Sequence, residues 1–295
     1  MLWSEPFLEY LKCEKNYSVE TVKAYESDLL QFDDYLKEFG LNPDTDEDMG
    51  AAPIRGWIVQ LMDHGYKPTS INRKVSTLRS YYKFLIRKGK AEKNPTIGIR
   101  GPKKKKPLPV FLKESEMDRL LDEEDFGEGF IGIRDRMIVD IFYSTGIRLA
   151  ELIGLNDVDV DLTAMTIKVR GKRNKERIIP FGENLRDSLR NYIRERNSLG
   201  LPMMEALFIK ENGYRLKRGD VEIIVKRSLS KVVTQKKRSP HVLRHTFATT
   251  MLNHDADLSV IKEILGHESL ATTEIYTHTT FEELKKVYKQ AHPRS

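Results

Sequence analysis

Hydrophobic residues in the amino-terminal third of the chain recur every three or four positions, the spacing that places them on one face of an α-helix. The repeat predicts four amphipathic helices: over residues 5–14, from Ser18 to Gly40, from Pro53 to Gly65, and from an N-cap at Thr69 or Ser70 onward. Short helices with one apolar face each predict a four-helix bundle at this end of the chain.

The pattern changes beyond residue 109. Helical spacing there predicts helices over Ser115–Asp122 and Asp135–Ser144, and further helices near residues 183–197 and 218–232. Between them, Met165, Ile167 and Val169 alternate with polar residues, as in a half-buried β-strand. A turn over residues 171–175 and a return strand over Arg177–Phe181 complete an antiparallel hairpin. The predicted fold class is therefore mainly α (α+β).

Residues 94–109 separate the two patterns. Four prolines and two glycines in this segment exclude a regular helix or a central strand, and Lys103 to Lys106 make it basic. The predicted organisation is a helical domain over residues 1–93, a basic linker over 94–109 and a second domain over 110–295.

The composition is that of an ordinary globular protein, with 295 residues, 39% hydrophobic and 32% charged. The sequence contains no apolar run long enough to span a membrane, and its first residues do not resemble a signal peptide. Cys13 is the only cysteine, which excludes an intramolecular disulfide and a cysteine-based metal site. These features predict a cytoplasmic protein.

The net charge of +6 is unevenly placed. Residues 67–106 hold 14 Lys and Arg against one acidic residue, whereas residues 1–66 hold 5 basic and 14 acidic residues. So basic a segment predicts a polyanionic partner, with nucleic acid as the default; a solvated lysine-rich face is the weaker alternative. The cations predicted to contact DNA are Arg73, Lys74, Arg79 and Lys83 on the outward faces of the fourth helix, Lys103 and Lys104 in the linker, and Lys226 and Arg227 near 218–232.

Several residues with phosphate chemistry lie in the second half. Pro240 suits the first turn of a helix on which His241 and Arg244 share a face. His267 follows a glycine, and Tyr276 comes nine residues later. Two histidines, an arginine and a tyrosine, with no carboxylate among them, suit a site that binds a phosphodiester and attacks it with a phenol oxygen.

Two further cations belong to this group of candidates. Arg148 begins a new helix after the break at Thr145-Gly146, and Glu151, one turn on, either orients Arg148 or forms only a weak surface ion pair with it. Lys172 lies at the tip of the predicted hairpin, where a lysine is usually solvated but is also able to carry a proton into a site. His245 stands four residues after His241, but Val242 occupies the place that a zinc-protease motif gives to glutamate. We expect His245, His254, His278 and His292 to be structural.

The chain resembles the tyrosine recombinases, or lambda-integrase family, and most closely the Xer-type members. The resemblance is carried by Thr-Gly-Ile-Arg148-Leu-Ala-Glu-Leu, Gly171-Lys172, His241-Val-Leu-Arg244-His-Thr-Phe-Ala-Thr, Leu-Gly-His267 and Tyr276-Thr-His. It implies that Tyr276 is the nucleophile and forms a 3′-phosphotyrosyl bond, while Arg148 and Arg244 bind the non-bridging oxygens. It further implies His241 as the base, His267 as a hydrogen-bond donor and Lys172 as the acid, with no metal or other cofactor.

The resemblance also implies partners. These are double-stranded DNA, a homo- or hetero-tetramer with a sister recombinase, and a DNA translocase in the resolution of chromosome dimers. The last apolar stripe, Phe281, Leu284, Val287 and Tyr288, either folds back on its own core or docks on a neighbouring protomer. We expect docking on the neighbour, so that deletion of residues 281–295 abolishes assembly and leaves the monomer folded.

Other functions remain open on the residues alone. A phage- or transposon-type integrase has the same catalytic residues, and a type IB topoisomerase-like enzyme shares the nucleophile and the arginines. A sequence-specific DNA-binding protein without catalysis is disfavoured by the complete Arg, Lys, His, Arg, His, Tyr set. A metal-dependent nuclease is disfavoured because the sequence shows no clustered carboxylates.

Overall fold

The computed structural model describes residues 3–41, 50–103, 110–171, 175–201, 205–233, 237–266 and 281–295. The chain forms two compact units, Met1–Pro107 and Leu108–Ser295, each with its own hydrophobic core. The domain borders drawn from the sequence stay a prediction.

The amino-terminal unit contains the four helices that the periodicity predicts. They are α1 (Ser4–Cys13), α2 (Val19–Glu38), α3 (Ala51–Asp63) and α4 (Pro68–Arg87). Ser18 caps α2, since its hydroxyl accepts a hydrogen bond from the amide of Thr21 at 3.3 Å. The cap expected at Thr69 or Ser70 is wrong: α4 begins at Pro68, a residue whose missing N–H is harmless in a first turn.

Lys74 corrects the expectation that the cations of α4 all face outward. It is only 4% exposed, and its ammonium lies 2.9 Å from the fully buried carboxylate of Asp28. Thr77 donates a further hydrogen bond of 2.8 Å to that carboxylate, and Arg73 also pairs with it while remaining partly exposed. A buried ammonium needs such a partner, so Lys74 is held inside the bundle rather than offered to DNA.

Part of the predicted linker packs on α4. Ile99 is 4% exposed and belongs to the core of this unit. Arg79 donates a 3.2 Å hydrogen bond to the carbonyl of Ile99, and Asn72 donates one of 2.9 Å to the carbonyl of Pro102. The described part of the segment is thus attached to the amino-terminal unit, with Arg100 and Lys103 exposed.

The carboxy-terminal unit is mostly helical. Its helices are α5 (Glu114–Asp118, continued by a π-helical turn over Arg119–Glu123), α6 (Gly129–Thr145), α7 (Leu149–Gly154), α8 (Glu183–Asn197), α9 (Arg218–Leu229), α10 (Pro240–Asn253), α11 (Leu258–Leu265) and α12 (Phe281–Ala291). Its strands are β1 (Val160–Asp161), β2 (Thr166–Arg170) and β3 (Glu176–Pro180), with a 3₁₀ turn over Asp157–Asp159 before them. The mainly α fold with a small antiparallel sheet is confirmed.

Helix α6 is the centre of this unit and is buried on nearly all sides, with α8, α9 and α10 packed around it. The sheet has the order β1-β2-β3, and both pairs of strands are antiparallel. Ile167 lies opposite Ile179, and Val169 lies opposite Arg177. This register turns Ile167, Val169 and Ile179 into the core, as the alternation predicts.

Helix α12 covers the core of its own chain. Leu284 and Tyr288 are 6% and 2% exposed, and the Tyr288 hydroxyl donates a 2.9 Å hydrogen bond to the carbonyl of Ser144 in α6. The apolar stripe thus packs on the core of its own chain, the alternative to docking on a neighbour, and the effect of deleting residues 281–295 stays a prediction.

None of the helices in the described part of the chain combines the length and apolarity that crossing a bilayer requires. Within the same residues, no three histidine, cysteine or acidic side chains cluster closely enough to hold a metal ion.

Candidate active site

Arg148 is placed by a sharp turn between α6 and α7. Gly146 ends α6 in the left-handed region at φ +60°, and a Cβ there would lie 2.5 Å from the ring of Phe247, so only glycine fits. The chain then turns so that Arg148 becomes the N-cap of α7. The predicted helix start is confirmed.

Glu151 holds Arg148 in two ways. Its carboxylate accepts the backbone N–H of Arg148 at 2.7 Å and the guanidinium at 2.8 Å. Because the Glu151 side chain is only 2% exposed and that of Arg148 is 31% exposed, the contact is a partly buried pair and not a solvated surface ion pair. Burial by itself would raise the pKa of Glu151, but hydrogen bonds from Arg177 and Arg148 outweigh it and hold the pKa below its usual value.

Arg244 approaches the same place from α10. One Nη donates to the carbonyl of Gly146 at 2.6 Å, and the other donates to the carbonyl of Leu265 at 2.7 Å. Burial and the nearby charges of Arg148 and Arg177 lower the pKa of Arg244 to about 10, against the opposing effect of Glu151. The guanidinium therefore still carries its charge at neutral pH, in a setting where positive side chains outnumber the single carboxylate of Glu151.

The end of α11 brings the two arginines together. Arg148 donates a 2.5 Å hydrogen bond to the carbonyl of Gly266, the residue after the Leu265 carbonyl that Arg244 uses. These carbonyls lie at the carboxyl end of a helix, where partial negative charge accumulates. Residues 148 and 244, far apart in sequence, thus share one site.

A third arginine, Arg177 on β3, belongs to this site and was not among the candidates. Its Nε donates to the carbonyl of Ile264 at 2.7 Å, and its two Nη donate to the Glu151 carboxylate at 2.7 and 2.9 Å. The sequence does carry a signal for it. Arg177 falls on the same side of the alternating strand as buried Ile179, and a charged residue on an inward face needs a buried partner.

The remaining candidates are placed as follows. His241 is exposed in the first turn of α10, one turn before Arg244. Lys172, His267 and Tyr276 lie outside the described residues. Their described neighbours are Gly171, whose N–H donates a 2.7 Å hydrogen bond to the carbonyl of Lys175, and Gly266.

The chemistry of this site favours an anion. Arg148, Arg177 and Arg244 contribute three positive charges against the single carboxylate of Glu151. A guanidinium presents parallel N–H groups that match two oxygens of a phosphate. Fixed donors of this kind stabilise negative charge that grows in a transition state.

The cations predicted to contact DNA differ in exposure and in the partners that they already bind within the protein. Lys83, Lys103 and Lys226 are exposed, and Arg227 is 59% exposed while pairing with Asp135. Arg73 and Arg79 keep exposed or half-buried side chains but already bind Asp28 and the Ile99 carbonyl. Lys104 lies outside the described residues, and buried Lys74 is withdrawn from the set.

Comparison with known proteins gives two family matches. The sequence profile named Phage integrase family matches residues 110–283, and the profile named Phage integrase, N-terminal SAM-like domain matches residues 5–89.

Similar proteins extend over nearly the whole chain. Tyrosine recombinase XerC of Chlorobaculum tepidum is 38% identical over 99% of this chain and 95% of its own length. Tyrosine recombinase XerC of Oceanobacillus iheyensis is 38% identical over 100% of this chain and 97% of its own. Among solved structures, the Tn1549 transposon integrase in complex with transposon right end DNA has a TM-score of 0.73 at 21% identity, over 97% of this chain and 98% of that one.

Proposed function

The chain belongs to the phage integrase family and is a site-specific tyrosine recombinase, and from this premise we propose that Tyr276 cleaves DNA in a pocket built around Arg148 and Arg244. The Tyr276 oxygen attacks the scissile phosphorus and the bond from phosphorus to the 5′-oxygen breaks. The products are a 3′-phosphotyrosyl bond and a free 5′-hydroxyl. Attack of another 5′-hydroxyl on that bond releases the tyrosine and rejoins the strand.

Each side chain has a separate task in this proposal. Arg148 and Arg244 bind the two non-bridging oxygens and stabilise the charge that builds on them. A free tyrosine has a pKa of about 10, so His241 takes the phenol proton during the attack. Lys172 gives a proton to the departing 5′-oxygen, and His267 donates a hydrogen bond to the phosphate.

The observation that supports the proposal most is the convergence of Arg148 and Arg244 at the end of α11. Their guanidiniums donate to the consecutive carbonyls of Gly266 and Leu265, immediately before His267 in the chain. Burial first, and then the positive charges of Arg148 and Arg177, lower the pKa of Arg244 at this place. A phosphodiester supplies the negative charge that this site lacks.

We infer that the substrate is double-stranded DNA, held by the exposed cations of α4 and α9, and that four protomers, of one or two kinds, act together in the cytoplasm. Resolution of chromosome dimers, with a translocase that brings the two sites together, is the cellular task we propose, because similar proteins over nearly the whole chain are named XerC.

Covalent trapping tests the chemistry directly. Wild-type protein is incubated with sheared genomic DNA of its organism, and the adducts are separated on denaturing gels. We expect a covalent adduct that Tyr276→Phe abolishes and that Tyr214→Phe, a change at an exposed tyrosine on the same unit, retains. An adduct that persists in Tyr276→Phe would contradict the proposal.

The captured DNA then separates the alternatives. Two copies of the captured fragment on one plasmid should yield recombined products with wild-type protein. Relaxed circles without exchange of the two copies would indicate topoisomerase-like activity instead.

A further inference from the structure

We propose that Arg177 is a positioning residue that clamps three segments of the active site together: strand β3, the start of α7 and the end of α11. The inference rests on the proposed function of Arg148. It adds a residue that does not touch the DNA but decides where the groups that touch it are held.

The clamp is built from hydrogen bonds on every side of the guanidinium. Its Nε donates to the Ile264 carbonyl in the last turn of α11 at 2.7 Å. Its two Nη donate to separate oxygens of Glu151 on α7, at 2.7 and 2.9 Å. The Arg177 side chain is 14% exposed. With all three nitrogens engaged and little surface free, Arg177 is placed to hold protein segments rather than a phosphate.

Glu151 transmits this hold to Arg148. One carboxylate oxygen accepts from the guanidiniums of both Arg148 and Arg177, at 2.8 and 2.7 Å. The other oxygen accepts from the backbone N–H of Arg148 at 2.7 Å and from Arg177 at 2.9 Å. Loss of Arg177 would remove one of the two hydrogen bonds that each oxygen of this carboxylate accepts. The carboxylate could then rotate and displace Arg148, which is bound to it. A lysine could not replace the fork, since an ammonium is a single point of charge.

Gly266 completes the clamp by its lack of a side chain. A Cβ at this position would come within 3.2 Å of the Arg177 Nη1 and 3.3 Å of its Cδ and Cζ. The bare Cα therefore lies against the guanidinium, at φ +62°, a conformation that also favours glycine. His267 follows Gly266 directly, so the clamp anchors the chain from which that histidine departs.

Arg177 also holds the hairpin of β2 and β3, through the strand that follows its turn. Arg177 lies five residues after Lys172 and opposite Val169 on β2. The strand that leads away from Lys172 is thus tied to the same carboxylate as Arg148. Segments that carry Arg148, Lys172 and His267 all meet at Arg177 or at its direct partners.

The kinetic test compares Arg177→Lys and Arg177→Met with the wild type on the genomic fragment captured by covalent trapping. We expect adduct formation in a single turnover to slow by about 100-fold in both variants, the size of effect that a displacement of about 1 Å at reacting groups can produce. The Kd for the DNA should change little. In combination with Glu151→Gln, Arg177→Met should slow the reaction by less than the product of the two single effects, since the two residues share one contact.

Arg215 provides the matched control. It is another partly buried arginine of the same unit, and it donates to the carbonyls of Ile153 and Leu155 at 2.7 and 2.9 Å, outside the site. Arg215→Lys should lower thermal stability without slowing adduct formation by the folded protein. Equal slowing in Arg215→Lys and Arg177→Lys would overturn the proposal, since it would show only a general loss of structure.

Amide hydrogen exchange gives a readout that needs no activity. Arg177→Met should speed exchange over residues 166–180 and 258–266, and Arg215→Lys should not. Unchanged exchange in both segments would overturn the clamp. Absence of an adduct in the wild type would instead overturn the proposed function, and the exchange result would still decide the role of Arg177.

Discussion

At the scale of single residues, His292 shows how burial fixes a protonation state. Its ring stacks on Tyr288 at a centroid distance of 5.1 Å and lies against Phe247 and Tyr143. Its Nδ1 accepts the backbone N–H of Arg294, so its Nε2 carries the proton that faces the Tyr143 carbonyl. Burial, with smaller effects from the charges of Arg294 and His254, lowers the pKa of His292 to about 4. The expectation that this histidine is structural agrees with its place in the core.

This shift predicts a dependence of stability on acidity. The unfolded chain binds a proton at His292 below a pKa of about 6.5, while the folded protein does so only near 4. The stability that depends on a neutral His292 is therefore fully present above pH 6.5. As the pH falls from about 6.5 to about 4, the free energy of unfolding decreases by about 3 kcal/mol. Urea denaturation of the wild type and of His292→Gln over this window measures it. We expect a shallower dependence in the variant, and equal slopes would contradict the assignment.

At the scale of elements, α12 and the residues after it brace the end of α6 that leads to Arg148. Tyr288 donates to the Ser144 carbonyl, and Arg294 forms two hydrogen bonds of 2.9 and 3.0 Å with Asp122. A Cβ on Gly182 would lie 2.2 Å from the carbonyl carbon of Ser295, so the last residue also packs closely. Helix α12 is therefore packed as part of the fold of its own chain.

Tyr288→Ala tests this role of α12. The substitution removes a fully buried aromatic side chain, and we expect it to lower the free energy of unfolding by about 3–5 kcal/mol. Lys286→Ala, at an exposed position of the same helix, should stay within about 0.5 kcal/mol of the wild type. Chemical denaturation of the three proteins provides the comparison. Wild-type stability in Tyr288→Ala would show that α12 does not brace the core.

At the scale of the whole molecule, charge is concentrated where DNA is expected to bind. The excess of cations over residues 67–106 contrasts with the acidic residues 1–66. Binding of these cations to phosphates releases counterions, so affinity should fall steeply with salt. The structure shows which of these cations are available to DNA, because Lys74 is paired with buried Asp28 while Lys83 is exposed to solvent.

Lys83→Gln measures one such contact. We expect the slope of log K against log salt to become shallower by about 0.9 if one phosphate contact is lost. Lys37→Gln is the control, at an exposed lysine of α2 that pairs with Asp33 at 2.8 Å, and should keep the wild-type slope. Filter binding of the captured genomic fragment over a series of salt concentrations gives both slopes. Equal slopes for wild type and Lys83→Gln would remove Lys83 from the DNA-binding surface.

Much of the fold follows from local patterns. The sequence predicted α2 and α8 nearly to the residue and the start of α10 at Pro240, since each helix buries one stripe against a neighbour. Alternation predicted the hairpin of β2 and β3 for the same reason. The same patterns missed the start of α4, because the stripe does not mark where the first turn begins, and Pro68 rather than a capping hydroxyl opens the helix.

Local sequence by itself determined the helices, the hairpin and the residue types able to handle a phosphodiester. Only the tertiary structure decided which charged side chains are paired inside the protein. Lys74 and Lys83 look alike in sequence, yet a distant carboxylate captures one of them. Arg177 joins the site because α7 and α11 bring Glu151 and Ile264 to it. The position of a charged residue in the sequence does not show whether its side chain is paired inside the protein or exposed to solvent. Its partner belongs to a distant segment that reaches it only when the chain folds.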